Sequence, residues 1–386
     1  MTIEAVVRDA LDTLFRDHWP AGRREFLSAQ FDAGLAWVHL PEGSGGLGLP
    51  RAQQSGIFAR IDAEGAPNGR ARNPLAYAMG APTIAAWGTA AQIERYLRPI
   101  FLGDEHWCQL FSEPGAGSDL AAVATRAVRD GDEWIVNGQK VWSSMAHVSE
   151  IGMLVARTDP DVPKHRGLTY FALDLSLPGV EVRPLRQMTG DAEFTEVYLT
   201  DVRIPDSCRI GDVGAGWKVC VSTLMNERVM FGSGGSGPVD LALELARDSA
   251  ELRRDPELRA RLIRLWIRAR VLRLTNARAT TDTAGPQGSI GKIGYAEINK
   301  AGYELCMDLL GGESLLYDDY TTRVPEGWGQ GIDGGDVRRR FLRSRANSIE
   351  GGTTEIMRTI LAERILGLPP EPRADKDRPW SEVPRG

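Results

Sequence analysis

The stretch LFSEPGAGSD, Leu110 to Asp119, together with GDEWIVNGQKVWSS, Gly131 to Ser144, decides how the rest of this chain is read. In the first, Gly115 and Gly117 are expected to turn the backbone at positive φ with its N–H groups free, since glycine takes that conformation cheaply and lets a ligand approach the main chain. Ser112 and Ser118 add hydroxyl donors, and Phe111 offers a flat apolar face. Such a set could hold the edge of a polar heteroaromatic ring or a pyrophosphate, although a Gly/Ser/Pro cluster is by itself also the composition of an ordinary loop.

In the second stretch, Asp130-Gly131 and Asn137-Gly138 are hairpin signals flanking the alternating run Trp134 to Val136. The pattern continues through IGMLVARTD, GLTYFALDL, VEVRPLR and FTEVYLTDVRIP. These are short segments rich in β-branched and aromatic residues, broken by Pro, Gly and Asp, and they predict consecutive antiparallel strands. On either side the period becomes helical. Val6, Val7, Ala10, Leu11, Leu14 and Phe15 share one face, as do Leu258, Leu262, Leu265, Trp266, Ala269 and Leu272. The order is helices, strands, helices.

Four segments in that order give the chain its resemblance to a known family. They are SEPGAGSD (Ser112–Asp119), NGQKVWSS (Asn137–Ser144), TEVYLTDVRIP (Thr195–Pro205) followed by GAGW (Gly214–Trp217), and EGGTTEIMRTILAERILG (Glu350–Gly367). With them the chain resembles an acyl-CoA dehydrogenase along almost its whole length. The resemblance implies an α+β fold: an N-terminal helical domain over 1–106, a central antiparallel β domain over 107–213 and a C-terminal helical bundle over 214–368. Residues 369–386 read as a Pro-rich charged tail.

Composition agrees with that class. At 386 residues the chain exceeds a usual single core, and 42% hydrophobic with 25% charged residues is ordinary for a globular protein. A net charge of -6 argues against nucleic acid as a partner, and Arg338–Arg340 and Arg343–Arg345 are expected as solvated or paired helix faces. Cys108, Cys208, Cys220 and Cys306 form no CxxC pair, which favours free thiols and a cytoplasmic location. The histidines lack metal-binding spacing. No apolar run reaches membrane-spanning length.

One motif points elsewhere. Gly43-Ser44-Gly45-Gly46-Leu47-Gly48 satisfies GxGxxG, follows the strand-like LAWVHL and precedes Asp62 and Glu64, as in a nicotinamide-dinucleotide site. Against this, Pro41 interrupts the junction and no second βα unit follows, only the loop EGAPNGRARNP. In the acyl-CoA dehydrogenase family a proline and a glycine-rich bend simply join early helices.

The family chemistry removes a proton from the carbon beside a thioester carbonyl while a hydride leaves the next carbon for flavin N5. It needs a carboxylate base, donors to the thioester oxygen and a dry pocket. By resemblance the cofactor is FAD, with Gln109, Phe111 and Ser112 at the isoalloxazine edge and Ser118 on the pyrophosphate or substrate side. Trp142, Ser143 and Ser144 fall on the opposite flank, where Trp142 packs on the ring system and Ser144 lies near N5; the alternative for Trp142 is a core aromatic ending a strand. Gly352, Thr353, Thr354 and Glu355 correspond to a cofactor-contacting helix start, with Thr353 as its cap. The substrate is an acyl-CoA, near Ser118, Arg228 and Gly351.

Two glutamates compete for the role of base. Glu350 in IEGGTTEI sits in the segment that carries it in much of the family. Aligning Gly352-Thr353 with that segment's Gly-Thr nevertheless puts Gly351 at the base position. In the isovaleryl and long-chain branch the base comes from a helix near the start of the C-terminal domain, where MNERV supplies Glu227, followed by Arg228. The chain departs from the family in lacking its Arg-x-x-Phe-Gly segment; ELARDSAELRRDPELRARLIRLWIR stands there, with Arg254 and Arg259 as substitutes for the arginine that grips the FAD adenine end. FGSGGSGP (Phe231–Pro238) is also unusual.

The function implied is α,β-dehydrogenation of an acyl-CoA in lipid or fatty-acid metabolism, with electrons passing to an electron-transferring flavoprotein and the chain forming a homodimer or homotetramer. Alternatives are an acyl-CoA oxidase, a flavin monooxygenase of the same fold, and a non-catalytic subunit of a heteromeric dehydrogenase.

Overall fold

A computed structural model describes residues 2–20, 22–71, 73–232, 237–278, 286–317, 319–328, 335–373 and 375–384; the side chains of 71, 227–232, 248, 250 and 251 lie outside that description. The chain begins with α1 (Ile3–His18), whose Thr2 side chain accepts from the Ala5 amide as an N-cap. Val7, Leu11, Leu14 and Phe15 are buried along its length, on the face the sequence periodicity gives. They join Phe26, Leu27 and Phe31 of α2 (Arg23–Asp32) in a core that also takes in α3 (Gln54–Ala63), α4 (Ala81–Trp87) and α5 (Ala90–Leu102). A full capping box of Thr89 and Gln92 starts α5.

The segment LAWVHL is a series of turns, not a strand. Leu47 donates to the Val38 carbonyl (3.1 Å), Gly48 to Leu40 (2.8 Å) and Leu49 to Val38 (3.0 Å), closing the glycine-rich bend on itself. Gly43, Gly45 and Gly48 have φ of 81°, 80° and 64°. The GxGxxG sequence is thus a turn between helices, with the amides of Ser44, Leu47 and Gly48 engaged internally.

The sheet contains β1 (Trp107–Leu110), β2 (Arg126–Asp130), β3 (Glu133–Ser144), β4 (Ile151–Arg157), β5 (Leu168–Asp174), β6 (Val180–Leu185), β7 (Phe194–Pro205) and β8 (Arg209–Ile210). Its order is β6-β7-β3-β2-β4-β5-β8, with β1 on β4. Most neighbours are antiparallel, as the hairpin pattern predicts, but β1 and β2 each pair parallel to β4, so the sheet is mixed. The Gly131 turn joins β2 to β3 as expected. Asn137-Gly138 is not a hairpin: β3 runs through it with a register shift against β7. A Cβ on Gly138 would stand 2.3 Å from Thr125 Oγ1, so the glycine serves close strand packing at a bulge.

The chain then enters α6 (Gly216–Gly232). Gly214 has φ 80°, its amide donates to Thr169 Oγ1 (3.1 Å), and a Cβ at Gly216 would lie 2.6 Å from the backbone of Leu168 and Thr169. The glycines of GAGW therefore seat α6 directly on β5. Beyond it lie α7 (Gly237–Asp248), α8 (Ala250–Arg254), α9 (Pro256–Ala277), α10 (Gly288–Leu310), α11 (Val337–Ser344) and α12 (Thr354–Arg364). Leu258, Leu262 and Leu265 of α9 pack with Val239, Ala242, Ile298, Leu305 and Cys306. Trp266, assigned by periodicity to the same face, is instead 49% exposed. The next residue round a helix is turned by about 100°, which carries Trp266 off the stripe that runs from Leu258 through Leu265 to Ala269 and Leu272. Four of the eight residues of FGSGGSGP, 233–236, lie outside the described residues. No helix among the described residues is long and apolar enough to cross a membrane.

Candidate active site

At the exit of β1 the chain forms the loop quoted at the outset, and its frame is a buried ion pair that sequence reasoning missed. Lys140 of β3 is fully buried and Glu113 is 9% exposed; Lys140 Nζ lies 2.8 Å from Glu113 Oε1 and donates also to the Phe111 carbonyl at 3.0 Å. Oε1 accepts also from the Thr125 amide (2.9 Å), and Oε2, the other oxygen of the carboxylate, accepts from the Ala124 amide (2.6 Å). Burial alone would raise the Glu113 carboxyl, but the Lys140 charge and these donors outweigh it and hold it below the usual range. One pair thereby fastens both ends of the loop. The signal was present in sequence as two charges inside otherwise apolar motifs, SEPGAG and GQKVW.

Within that frame the expected roles divide. Ser118, Gly115 and Gly117 are exposed and Ser112 is half-buried. A Cβ at Gly115 or Gly117 would meet nothing within 4 Å, and neither belongs to the positive-φ glycines. Their expected left-handed turn is therefore corrected: they leave open room, and the turn does not require them. Phe111 is also corrected, because its ring is buried edge-on against Tyr170 (centroids 5.9 Å apart) and presents no free face. Gln109 is part-buried in β1, opposite Met153.

On β3 the alternation sets Trp142 and Ser144 on one side and Ser143 on the other. Ser143 is wholly buried, which removes it from direct ligand contact. Trp142 stands out at 56% exposure with φ 61°, so it is not a core aromatic. Its ring meets that of Phe194 edge to face, with centroids 5.8 Å apart. For a large aromatic residue, left-handed backbone beside a register shift is a strained placement of the kind found where function demands it.

The third wall comes from the C-terminal bundle. Gly351 and Gly352 have φ 62° and 91°, and the buried Lys292 of α10 donates to the Gly352 carbonyl. Thr353 then caps α12, its Oγ1 accepting from the Ile356 amide at 3.1 Å. Thr354 is buried and Glu355 exposed. Glu350 is bound on both oxygens: Arg343 donates at 3.2 and 2.8 Å and Asn347 at 2.6 Å. Arg343 reaches on to Glu193 (3.2 Å) and lies over Phe194 (5.4 Å), the residue that Trp142 touches. Burial lowers the Arg343 pKa, but the Glu350 and Glu193 charges more than restore it. The arginine cluster is therefore paired, with Arg338 on Asp336 and Arg345 on Glu304.

Glu227 and Arg228 fall on α6, and their side chains lie outside the described residues. One turn earlier, buried Thr223 sits 3.3 Å from the Tyr170 hydroxyl and 2.9 Å from Thr83 Oγ1, so this part of α6 is fixed to β5 and α4. Three links thus tie these elements together: Lys140 with Glu113 between β3 and the loop, Arg343 with both Glu350 and Glu193 between the start of α12 and the sheet, and Thr223 with Tyr170 between α6 and β5. A cavity of about 640 Å³ lies apart from them, between the start of α5 and Asp206–Asp212. Arg254 and Arg259 are both exposed. None of the four cysteines is in a disulfide, and no metal-holding group of His, Cys, Asp and Glu occurs among the described residues.

A helical, sheet and helical succession, with the sheet tied through Glu193 and Arg343 to a glycine-led helix start, is the arrangement of a class of flavoprotein oxidoreductases. Residues 2–104, 108–202 and 214–366 match the N-terminal, middle and C-terminal domains of acyl-CoA dehydrogenase, and the chain belongs to the acyl-CoA dehydrogenase family. The acyl-CoA dehydrogenase IpdE1 of Mycobacterium tuberculosis is 39% identical over 349 residues, 88% of this chain and 86% of that protein. Among solved structures, the chain is similar to the Tcur3481-Tcur3483 steroid ACAD, with TM-score 0.73 and 25% identity over 96% of this chain and 99% of that one. It is also similar to the ChsE4-ChsE5 complex from Mycobacterium tuberculosis, with TM-score 0.70 and 29% identity over 96% and 100%.

Proposed function

We propose that this dehydrogenase binds FAD between the 109–118 loop, the Trp142–Ser144 flank and the start of α12, and that Glu227 is its base. The observation that carries the reading is the set of three links, which bring the segments together. The residues suit a flavin nucleotide: Trp142 offers an exposed ring, Ser118 an exposed hydroxyl just after the open Gly115 and Gly117, and α12 a helix N-terminus favouring acceptor-rich ligands. FAD, when bound, would supply the acceptor for the hydride from the β-carbon. The roles of Gln109, Ser112, Ser144 and Gly352–Glu355 toward it belong to the same proposal.

A base must reach the α-proton with a free oxygen. Both Glu350 oxygens are engaged by Arg343 and Asn347, and the carboxylate braces the bundle against Glu193 and Phe194. Glu227, one turn past the buried Thr223, is the remaining candidate. Shifting the base by one residue along the chain displaces Cα by about 3.8 Å, enough to lose attack geometry. Gly351, Ser118 and Arg228 are placed on the substrate side. The substrate is an acyl-CoA of bulky, steroid-derived type, a class supported by the steroid ACAD likeness. Electrons pass to an electron-transferring flavoprotein.

Assembly is part of the proposal. Ile263, Trp266, Ile267, Val271 and Leu274 of α9 are 47–54% exposed, an apolar stripe suited to a second subunit. Either a copy of this chain or a distinct partner fits it; the likeness to two-component assemblies favours the distinct partner. A cytoplasmic place in lipid metabolism and the functional division at 1–106, 107–213 and 214–368 complete the reading.

The test is anaerobic flavin reduction by an acyl-CoA panel running from short chains to polycyclic thioesters. The native protein should be yellow, with about one FAD per chain. Glu227→Gln should keep FAD and acyl-CoA binding and lose reduction by at least about a hundredfold. If Glu350→Gln abolishes reduction and Glu227→Gln spares it, Glu350 is the base. Rapid hydrogen peroxide without an electron carrier would make the protein an oxidase. Flavin binding that appears only with a separate subunit would make the chain one half of a heteromeric enzyme.

A further inference from the structure

The C-terminal segment, whose composition reads as a Pro-rich charged tail, is fastened to the turn that follows Ser118. Trp380 is buried. Its amide donates to the Val162 carbonyl and that of Ser381 to Pro160, both at 2.9 Å, and Pro379 bridges Pro163. The indole lies over Arg157, whose guanidinium carbon is 4.3 Å from the ring centroid. Arg157 ends β4, is 2% exposed, and donates to the carbonyls of Ala121 (2.6 Å), Val123 (3.0 Å) and Lys164 (3.1 Å). The indole Nε1 donates to the carbonyl between the first two, that of Ala122, at 3.2 Å. Three consecutive carbonyls are therefore held by two stacked side chains, one of them from the far end of the sequence. At the surface Lys164 bridges Asp119 (2.7 Å) and Asp375, tying tail to loop a second time.

We propose that residues 375–381 are a strap that sets the Ser112–Val123 loop for FAD, with Trp380 and Arg157 as positioning residues. The proposal rests on the reading above, in which Ser112 and Ser118 meet the cofactor. Within its own backbone the turn Leu120–Ala122 has two short bonds, Ala122 to Asp119 (2.9 Å) and Val123 to Leu120 (3.3 Å), and a single 3₁₀ turn holds its shape poorly alone. A desolvated cation–π contact and three carbonyl bonds supply what it lacks. When only part of a population has the loop in the binding arrangement, ligand affinity falls by that fraction. Releasing the strap should therefore weaken FAD binding at temperatures where the fold is intact.

The experiment measures the FAD Kd of the full chain well below its Tm, and hydrogen exchange of residues 119–125 in the apoprotein. Trp380→Ala should raise Kd about tenfold and speed exchange in that segment. Trp380→Phe keeps a ring over Arg157 and loses only the bond to Ala122, so the rise should be about threefold or less. A lowered Tm with native Kd and native exchange would overturn the strap. If the native protein binds no FAD, the cofactor reading fails, and the exchange comparison alone decides the strap. Should Trp380→Ala not fold, Asp375→Asn loosens the outer tie; faster exchange near Asp119 supports the proposal and unchanged exchange overturns it.

Discussion

In the loop Gly43–Gly48 a Cβ at Gly45 would stand 2.7 Å from the Phe31 ring and one at Gly46 2.1 Å from the Leu40 carbonyl oxygen, with Gly43 and Gly48 open, whereas at both Gly115 and Gly117 it would meet nothing. In the closed bend the amides of Leu47, Gly48 and Leu49 are engaged by Val38 and Leu40. A glycine motif serves a ligand only where both the missing side chain and the N–H groups face open space. By that criterion the fingerprint with the better regular expression is a structural bend, and the less regular loop is the one able to take a ligand. The open loop keeps its shape from outside, through the buried Lys140–Glu113 pair, so its rim is not consumed by its own folding.

The largest effect that would test this contrast comes from breaking the frame. Lys140→Met leaves the Glu113 carboxylate buried without its cation and should destabilise the protein by about 3–5 kcal/mol, read from urea unfolding. Adding Glu113→Leu should recover part of that loss, because a well-packed apolar pair avoids the desolvation penalty. A native-like Lys140→Met would mean that the loop holds itself, and the distinction between the two loops would lose its mechanism.

Next comes the closed loop itself. Gly46→Ala drives a methyl into the Leu40 and Trp37 carbonyls and should cost about 1–3 kcal/mol while leaving FAD affinity unchanged. Gly115→Ala is the mirror case: a stability change within about 0.5 kcal/mol, with any consequence confined to cofactor affinity. Were Gly46→Ala to abolish FAD binding at native stability, the Gly43–Gly48 segment would be the dinucleotide site after all.

The sequence made the succession of elements legible because the helical period at Val7–Phe15 and the strand alternation at Trp134–Val136 are local. What it hid is long-range. Nothing local distinguishes a parallel from an antiparallel partner, so the pairing of β1 and β2 with β4 could not be read. Glu113 and Lys140 lie inside the quoted motifs, but their meeting depends on two strands converging. Trp380 stood in a segment whose composition is that of a tail, and its partner Arg157 is distant in sequence. The site segments were recognisable as patterns, yet which side chains face outward required the fold: Phe111 and Ser143 turn in, Trp142 turns out.

The smallest effect concerns pH and again separates the loops. His39, in the turn leading to Gly43, is part-buried, and desolvation aided by the nearby Arg51 charge pushes its pKa down to about 4. In the unfolded chain a histidine titrates near about 6.5. Between those values the unfolded state takes up a proton that the folded state refuses, so stability is intact above the higher pH and declines as pH falls toward the lower one. Glu113 acts in a different window: its carboxyl is held low by Lys140, and its contribution persists until pH falls below the usual carboxylate range. Unfolding measured from pH 7 downward should therefore show a shallow first decline belonging to the closed bend and a later one belonging to the open loop. His39→Gln should flatten the first, by about 1 kcal/mol at most given its partial exposure, and leave the second in place. If the first decline survives His39→Gln, the mildly acidic sensitivity does not arise in the Gly43–Gly48 bend.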